Sequence, residues 1–188
     1  TEKEEMNIIS INRNTMTGIQ VYDKDGNKVG KIRAQLCLQH GYGDGKKLSC
    51  NRSEDAVSEL FDNIPISGYM AINMGAIPYI TDAVGGVRVT VMDDLTDSGR
   101  GVNLVAGEEK VLNGDEAYVY IRKRETETFG SADERLRRQE QFITSFITAL
   151  NTSSIERESQ AVAIHNAVSD YLVTDVDFET LVATLLGY

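Results

Sequence analysis

The cations of this chain are unevenly spread: six of its nineteen Lys and Arg residues fall between Arg122 and Arg138. Read as a strand, Tyr118 to Arg124 would put Arg122 and Arg124 on one face about 7 Å apart, and Val119 and Ile121 on the other. Two like charges at that spacing repel unless an anion or a carboxylate lies between them. Guanidinium groups meet phosphate oxygens in bidentate pairs, so paired arginines make a natural pyrophosphate clamp. Past a polar loop at residues 125–132, helical spacing sets Gln139 inside an apolar stripe and Arg135 on its flank. Arg138 falls further round, and Arg137 points away. A Gln on a buried stripe must find hydrogen-bond partners. Arg135, one turn before it, would face the same site as Arg122 and Arg124, where helix-start amides add attraction for an anion. Alternating charge beside Glu125, Glu127, Asp133 and Glu134 also describes an ordinary solvated surface. Spacing alone leaves both readings open.

Other residues that could do chemistry are sparse. The two histidines, His40 and His165, lie far apart in unlike contexts and form no Cys/His metal pattern. His165 reads as a packing or surface residue of a helix, and His40 flanks a glycine loop. Cys37 and Cys50 bracket a Gly- and Lys-rich loop; a disulfide and two free thiols both fit. Asp93 and Asp94 follow a strand and read as solvating a turn. Gly85-Gly86 reads as backbone geometry that needs positive φ. Ile72, Met74, Ile77, Tyr79 and Ile80 read as core, with an apolar ligand tunnel as the other possibility.

The elements that must hold these residues alternate along the chain. Met6–Ile11, Ile19–Tyr22, Tyr69–Asn73, Val87–Val91 and Tyr118–Arg124 read as strands, while Lys31–Leu38 fits a strand or a helix start. Asp25-Gly26-Asn27 marks a hairpin turn. Ser53 can cap a helix running to Phe61, and residues 107–117 read as loop followed by a turn or short helix. Leu136, Ile143, Phe146, Ile147 and Leu150 fix the buried face of a helix from Asp133 to about Leu150. Two more helices are expected, at Ile155–Leu172 and Asp177–Leu186. The pattern predicts an α/β fold: one layered α-β-α domain over residues 1–188 with a central mixed sheet, whose bare apolar ends suggest further flanking elements.

Composition narrows the function. A net charge of −10 and a pI near 4.7 argue against general nucleic-acid binding. No apolar run approaches the roughly 18 residues of a membrane helix, and no signal-peptide pattern opens the chain.

Several blocks then occur together: Asp82-Ala83-Val84-Gly85-Gly86-Val87, Ala106-Gly107, Leu112-Asn113-Gly114-Asp115-Glu116-Ala117, Tyr120-Ile121-Arg122-Lys123-Arg124 and Arg135-Leu136-Arg137-Arg138-Gln139. In this order they resemble the LytR-CpsA-Psr family. Upstream, Ser10-Ile11-Asn12-Arg13-Asn14-Thr15 is similar to the family's Ser-Ile-Pro-Arg-Asp-Thr segment, and Lys31-Ile32 and Gly41-Tyr42-Gly43 fit more loosely. The likeness covers about residues 6 to 150. It implies a phosphotransferase that moves a glycopolymer, such as teichoic acid, from a polyprenyl-pyrophosphate carrier to a peptidoglycan hydroxyl. It further implies Mg²⁺ as cofactor, and a place on the extracellular face of the cytoplasmic membrane, held by an N-terminal transmembrane helix outside this chain. Carried over by motif, Arg13, Arg122 and Arg124 would be catalytic, and Arg135, Arg138, Gln139 and Lys31 substrate-binding. Two departures stand out: Asn14 replaces the family's Asp and Asn12 its Pro. An amide is a poorer partner for Mg²⁺ than a carboxylate. That motivates an alternative, a catalytically weakened binder of the lipid-linked glycan. A transcriptional attenuator, as relatives have been named, ranks last, because the chain is acidic and shows no helix-turn-helix.

Overall fold

Short apolar runs punctuated by glycines and aspartates set the strands of this chain, and side-chain acceptors at Asp44 and Asn113 mark the starts of two of its helices. The computed structural model describes residues 9–124, 131–152, 157–177 and 179–180. They fold as two units, one built on Ile72–Leu172 and the other on Ile11–Ala71 with Val173–Asp177.

In the second of these units, β1 (Met16–Tyr22) and β2 (Lys28–Gln35) pair antiparallel, Met16 opposite Gln35 and Tyr22 opposite Lys28. The expected turn joins them. Gly26 takes φ +83°, and Asp23 Oδ1 accepts the backbone N–H of Asp25 at 2.9 Å and of Asn27 at 2.8 Å. α1 (Leu38–Gly41) and α2 (Lys47–Leu60) follow. The helix expected from Ser53 starts at Lys47, because Asp44 Oδ1 takes the N–H of Lys46 at 2.8 Å and of Ser49 at 3.3 Å, a carboxylate serving the free amides of the first turn. Ser53 therefore lies inside the helix, where its hydroxyl donates to the Ser49 carbonyl at 2.8 Å. The interior of this unit is unusually polar: Gln39, Ser49 and Arg52 are buried beside Ile19, Cys50 and Ala56. Gln39 is satisfied by β1, donating to the Gln20 carbonyl at 3.2 Å and accepting the Gln20 N–H at 2.8 Å, so its amide extends the edge of the hairpin. Cys37 and Cys50 are free thiols.

The other unit carries the apolar core. After β3 (Met70–Ile72) and a single 3₁₀ turn come α3 (Ile77–Ala83), β4 (Val87–Thr90), β5 (Leu95–Asp97), β6 (Val102–Leu104) and β7 (Glu109–Leu112). They lead into α4 (Gly114–Arg122), α5 (Ser131–Thr152), α6 (Arg157–Val168) and a second 3₁₀ turn, after which β8 (Leu172–Thr174) begins, its last two residues counted with the hairpin unit. Val87 and Val89 of β4 point inward and Arg88 and Thr90 outward, the alternation read from sequence. Ile77, Ile80, Leu104, Leu112, Tyr120 and Phe142 join them in one buried cluster. Of the residues weighed as core or tunnel, Ile77 and Ile80 are therefore core, Met74 packs against it, and Ile72 and Tyr79 are exposed. Gly85 and Gly86 take φ +80° and +94°, and a Cβ on Gly86 would stand 2.6 Å from Val111 Cγ1. The glycine pair is needed on both counts.

The α/β expectation holds. In place of one central mixed sheet, the described strands form four two-stranded sheets, β1–β2, β3–β8, β4–β7 and β5–β6. Apart from the long hairpin, these strands are short. The β4–β7 and β5–β6 pairs are antiparallel; a short turn joins β5 to β6, and that hairpin is the connection between β4 and β7. One element is the opposite of what its sequence suggested. Tyr118–Arg124, read as a strand, is mostly helix, because a capping box starts α4 at Asn113. The Asn113 side chain accepts the Glu116 N–H, and Glu116 accepts the Asn113 N–H, both at 3.0 Å. Ala117, Tyr120 and Ile121, buried at i, i+3 and i+4, were the helical signal inside an apparently alternating run. Of the strand expected at residues 6–11, residues 9–11 are described and form no strand, while residues 6–8 and most of the helix expected at 177–186 lie outside the described residues.

Candidate functional site

Because α4 is a helix, Arg122 and Arg124 do not share a strand face. Arg122 is the last helical residue. Lys123 ends the helix with φ −58° and ψ 136°, and its N–H still reaches the Val119 carbonyl at 2.8 Å. The turn brings all three cations to one cavity of about 290 Å³, lined by Asp97, Tyr118, Val119, Arg122, Lys123 and Arg124. The anticipated gathering of Arg122 and Arg124 is thus present, reached by a different backbone. Cations suit this place, since the carbonyl end of a helix carries partial negative charge.

A further arginine, missed in the sequence, joins from the β5–β6 turn. Arg100 Cζ lies 4.0 Å from the centre of the Tyr118 ring and Arg122 Cζ lies 5.2 Å from it, so one phenol supports two guanidinium groups. Arg100 also pairs with Asp115, and its backbone N–H reaches Asp97 Oδ1 at 3.2 Å. Only the one-turn spacing of Tyr118 and Arg122 was visible beforehand; Arg100 is brought in by the pairing of β5 with β6.

The residues of α5 act one step behind this cavity. Arg138, which periodicity set further round from the apolar stripe than Arg135, is 2% exposed. Its Nε donates to the Tyr120 carbonyl at 2.7 Å, Nη2 donates to the Lys123 carbonyl, and Nη1 pairs with Asp93. Gln139 does lie on the packed side, and its amide donates to the Ile121 carbonyl at 3.0 Å. Three carbonyls at the end of α4, which have no intrahelical partner, are thereby satisfied by two neighbouring side chains. Arg138 and Gln139 hold the segment that carries the cations, and neither lines the cavity. Arg135 is half-buried and does not line it either. Asp93 is corrected from a turn-solvating residue to the partner of a buried arginine, while Asp94 accepts the Ala106 N–H at 2.8 Å. Tyr120 reinforces the joint: its hydroxyl donates to Gln141, whose amide donates to the Thr90 carbonyl at 3.0 Å. Burial raises the Tyr120 phenol above its ordinary value, so it stays a donor through the physiological range.

Arg13 and Lys31 belong to the hairpin unit. Arg13 is exposed in a turn before β1, its Nη2 donating to Cys37 Sγ at 3.4 Å. That turn explains one departure: the Asn12 side chain accepts the Asn14 N–H at 2.9 Å, an Asx turn that a proline could not make. Asn14 itself is exposed. Lys31 Nζ contacts both oxygens of Glu59 at 2.7 Å and lines a separate cavity of its own unit.

Among the described residues no group of three His, Cys, Asp or Glu side chains could hold a divalent metal. The carboxylates beside the cations, Asp93 and Asp97, are engaged by Arg138 and by the Arg100 amide. The described residues therefore do not fit a protein-built Mg²⁺ site. What the arrangement can do is bind a multiply charged anion through two guanidinium groups and an ammonium that line one cavity, with Arg122 supported by the Tyr118 ring.

Residues 1–188 match the model of the LytR_cpsA_psr family. A polyisoprenyl-teichoic acid–peptidoglycan teichoic acid transferase, TagU, of Enterococcus faecalis is 33% identical over 153 residues, which are 80% of this chain and 46% of that protein. The cell wall biosynthesis protein LcpA of Corynebacterium glutamicum is 30% identical over 157 residues, 79% of this chain and 30% of that protein. This chain thus spans less than half of the length of these two relatives. Among solved structures, TagT bound to LI-WTA superposes with a TM-score of 0.68 over 95% of this chain and 61% of its own, at 19% identity, a likeness of fold.

Proposed function

The chain belongs to the LytR-CpsA-Psr family, and from that membership we propose that it is part of an enzyme that transfers a glycopolymer from a polyprenyl-pyrophosphate carrier to peptidoglycan. The observation that carries the reading is the cavity where Arg122, Lys123 and Arg124 converge at the end of α4. The names of its relatives, a teichoic acid transferase and a cell wall biosynthesis protein, supply the substrate class.

In this reading Arg122 and Arg124 grip the diphosphate through bidentate hydrogen bonds. As the acceptor hydroxyl oxygen bonds to the phosphorus that carries the glycopolymer, the bond from that phosphorus to the bridging oxygen breaks, polyprenyl phosphate leaves and the hydroxyl proton is released to solvent. Negative charge grows on the transferring and leaving phosphates, and the guanidinium groups stabilise that change more than they stabilise the ground state. Tyr118 keeps Arg122 in place, and Arg138 and Gln139 keep the end of α4 in place. Arg13 joins the catalytic set by motif alone. Mg²⁺, when bound, would take much of its coordination from the phosphates and water and would supply positive charge beside them. The whole protein would work at the outer face of the membrane, on a tether. No helix among the described residues is long and apolar enough to cross a bilayer.

The test is to incubate the protein with a polyprenyl-pyrophosphate-linked glycopolymer and peptidoglycan, with and without Mg²⁺, and to measure polymer transferred and lipid phosphate released. Transfer should occur, and Arg122→Ala and Arg124→Ala should each lower it roughly a hundred-fold without altering the melting temperature. Full transfer by both variants would overturn the assignment. A second reading is favoured by the exposed amide of Asn14 where the family carries Asp: a binder that holds the lipid-linked glycan without turning it over. For that reading the wild type binds without transfer, and Asn14→Asp creates transfer at unchanged affinity.

A further inference from the structure

The hairpin unit contains a cavity of about 240 Å³ between β1, β2 and α2 that none of the α4 arginines touches. At its edge lies Arg52, only 8% exposed. Its guanidinium is stacked on Tyr22, with Cζ 3.5 Å from the ring centre, and it donates to the Tyr42 carbonyl. A guanidinium has five N–H donors, and burying its charge is costly without a counter-charge. Among the described residues, no carboxylate pairs with Arg52. Glu59, which lines the same cavity, is already bridged by Lys31 through both oxygens. Among the described residues Asp55, three residues along α2, makes no ion pair, and Lys28 adds a second uncommitted cation. With Lys31 and Glu59 cancelling, the lining keeps two positive charges against one negative.

That excess calls for an anionic group, and the remaining polar groups call for hydroxyls. Asp55 and Glu59 accept hydrogen bonds, and Asn63 both donates and accepts, the mixture a polyol needs. The volume is below the roughly 300–1,000 Å³ of pockets that take drug-sized ligands, so a single ring fits better than a nucleotide. We propose that this cavity binds one acidic monosaccharide unit, its carboxylate or phosphate on Arg52 and Lys28 and its hydroxyls on Asp55, Glu59 and Asn63. The site shares no residue with the cavity at the end of α4 and stands whether or not the chain transfers anything.

The proposal is tested by titrating the 188-residue protein at low salt with glucuronic acid, glucose 6-phosphate, glucose and inorganic phosphate, followed by amide NMR shifts. At least one acidic sugar should bind ten-fold or more tightly than both glucose and inorganic phosphate, and the tighter of the two acids identifies a carboxylate or a phosphate as the preferred anion. Lys28→Gln, at an exposed position, should weaken that binding three-fold or more with unchanged melting, and Arg52→Gln should abolish it. The Arg122→Ala/Arg124→Ala protein should bind as the wild type does, which separates failure here from failure of the transferase reading. The assignment is overturned if neither acid binds, if glucose or phosphate alone binds equally well, or if Lys28→Gln leaves the affinity unchanged.

Discussion

Arg138 makes three directed contacts with one guanidinium, to the Tyr120 carbonyl, the Lys123 carbonyl and Asp93. Each nitrogen meets an acceptor that would otherwise be left without this partner, and the planar fork fixes their spacing. Arg138→Met should destabilise the protein by about 3 kcal/mol, because it strips two helix-end carbonyls and a half-buried carboxylate of their donor at once. Arg138→Lys should recover little, since one ammonium cannot reach all three acceptors. Arg122→Ala, at an exposed site, should change stability by less than about 0.5 kcal/mol. Urea unfolding midpoints of the three variants decide this. Equal losses for Arg122→Ala and Arg138→Met would show that the two arginines do not divide between chemistry and support.

At the scale of elements, α4 is the part whose conformation decides the site. Its first turn is stabilised by the Asn113–Glu116 capping box, by Asp115 and Glu116 near the positive end of the helix dipole, and by Lys110 bridging to Glu116 at 2.9 Å. Its last turn ends in the cations, fastened by Arg138 and Gln139. Asn113→Ala should cost about 1 kcal/mol and lower the melting temperature by roughly 2–4 °C, whereas Asn113→Asp should be nearly neutral. Calorimetry of the two variants checks it. An Ala variant that melts with the wild type would mean that tertiary packing alone sets the helix start.

For the molecule as a whole, the shifted groups define a pH window. Burial raises the Cys50 thiol and the Tyr120 phenol, and the hydrogen bond donated to Glu116 raises the Lys110 ammonium. A group whose folded value is raised contributes fully below its unfolded value and loses that contribution as pH climbs through the folded one. The ordinary values are 9.0, 10.0 and 10.5, so stability should decline from about pH 9 upward. Asp23 and Asp44 act at the other end, held low chiefly by backbone amides of Asn27 and Lys46. Their contribution is present above 3.8 and is lost as pH falls through their lower folded values. Denaturant midpoints measured against pH should show a plateau through neutrality and a fall above about 9; a midpoint that rises between about pH 9 and 11 would contradict it.

The sequence by itself determined what short-range pattern can encode: the Asp-Gly-Asn hairpin, the paired glycines at positive φ, the long helix around Phe146 and the ordered blocks that place the chain in its family. It also held the Asn-x-x-Glu signature of α4, which the β-branched and aromatic run behind it obscured. Only the tertiary structure decided that Asp93 would meet Arg138 across 45 residues, that Arg100 would stack on Tyr118, and that Gln139 would serve a carbonyl of the neighbouring helix. Periodicity states which side of an element faces inward. Which acceptor a buried donor finds there depends on a second element that the local pattern does not contain.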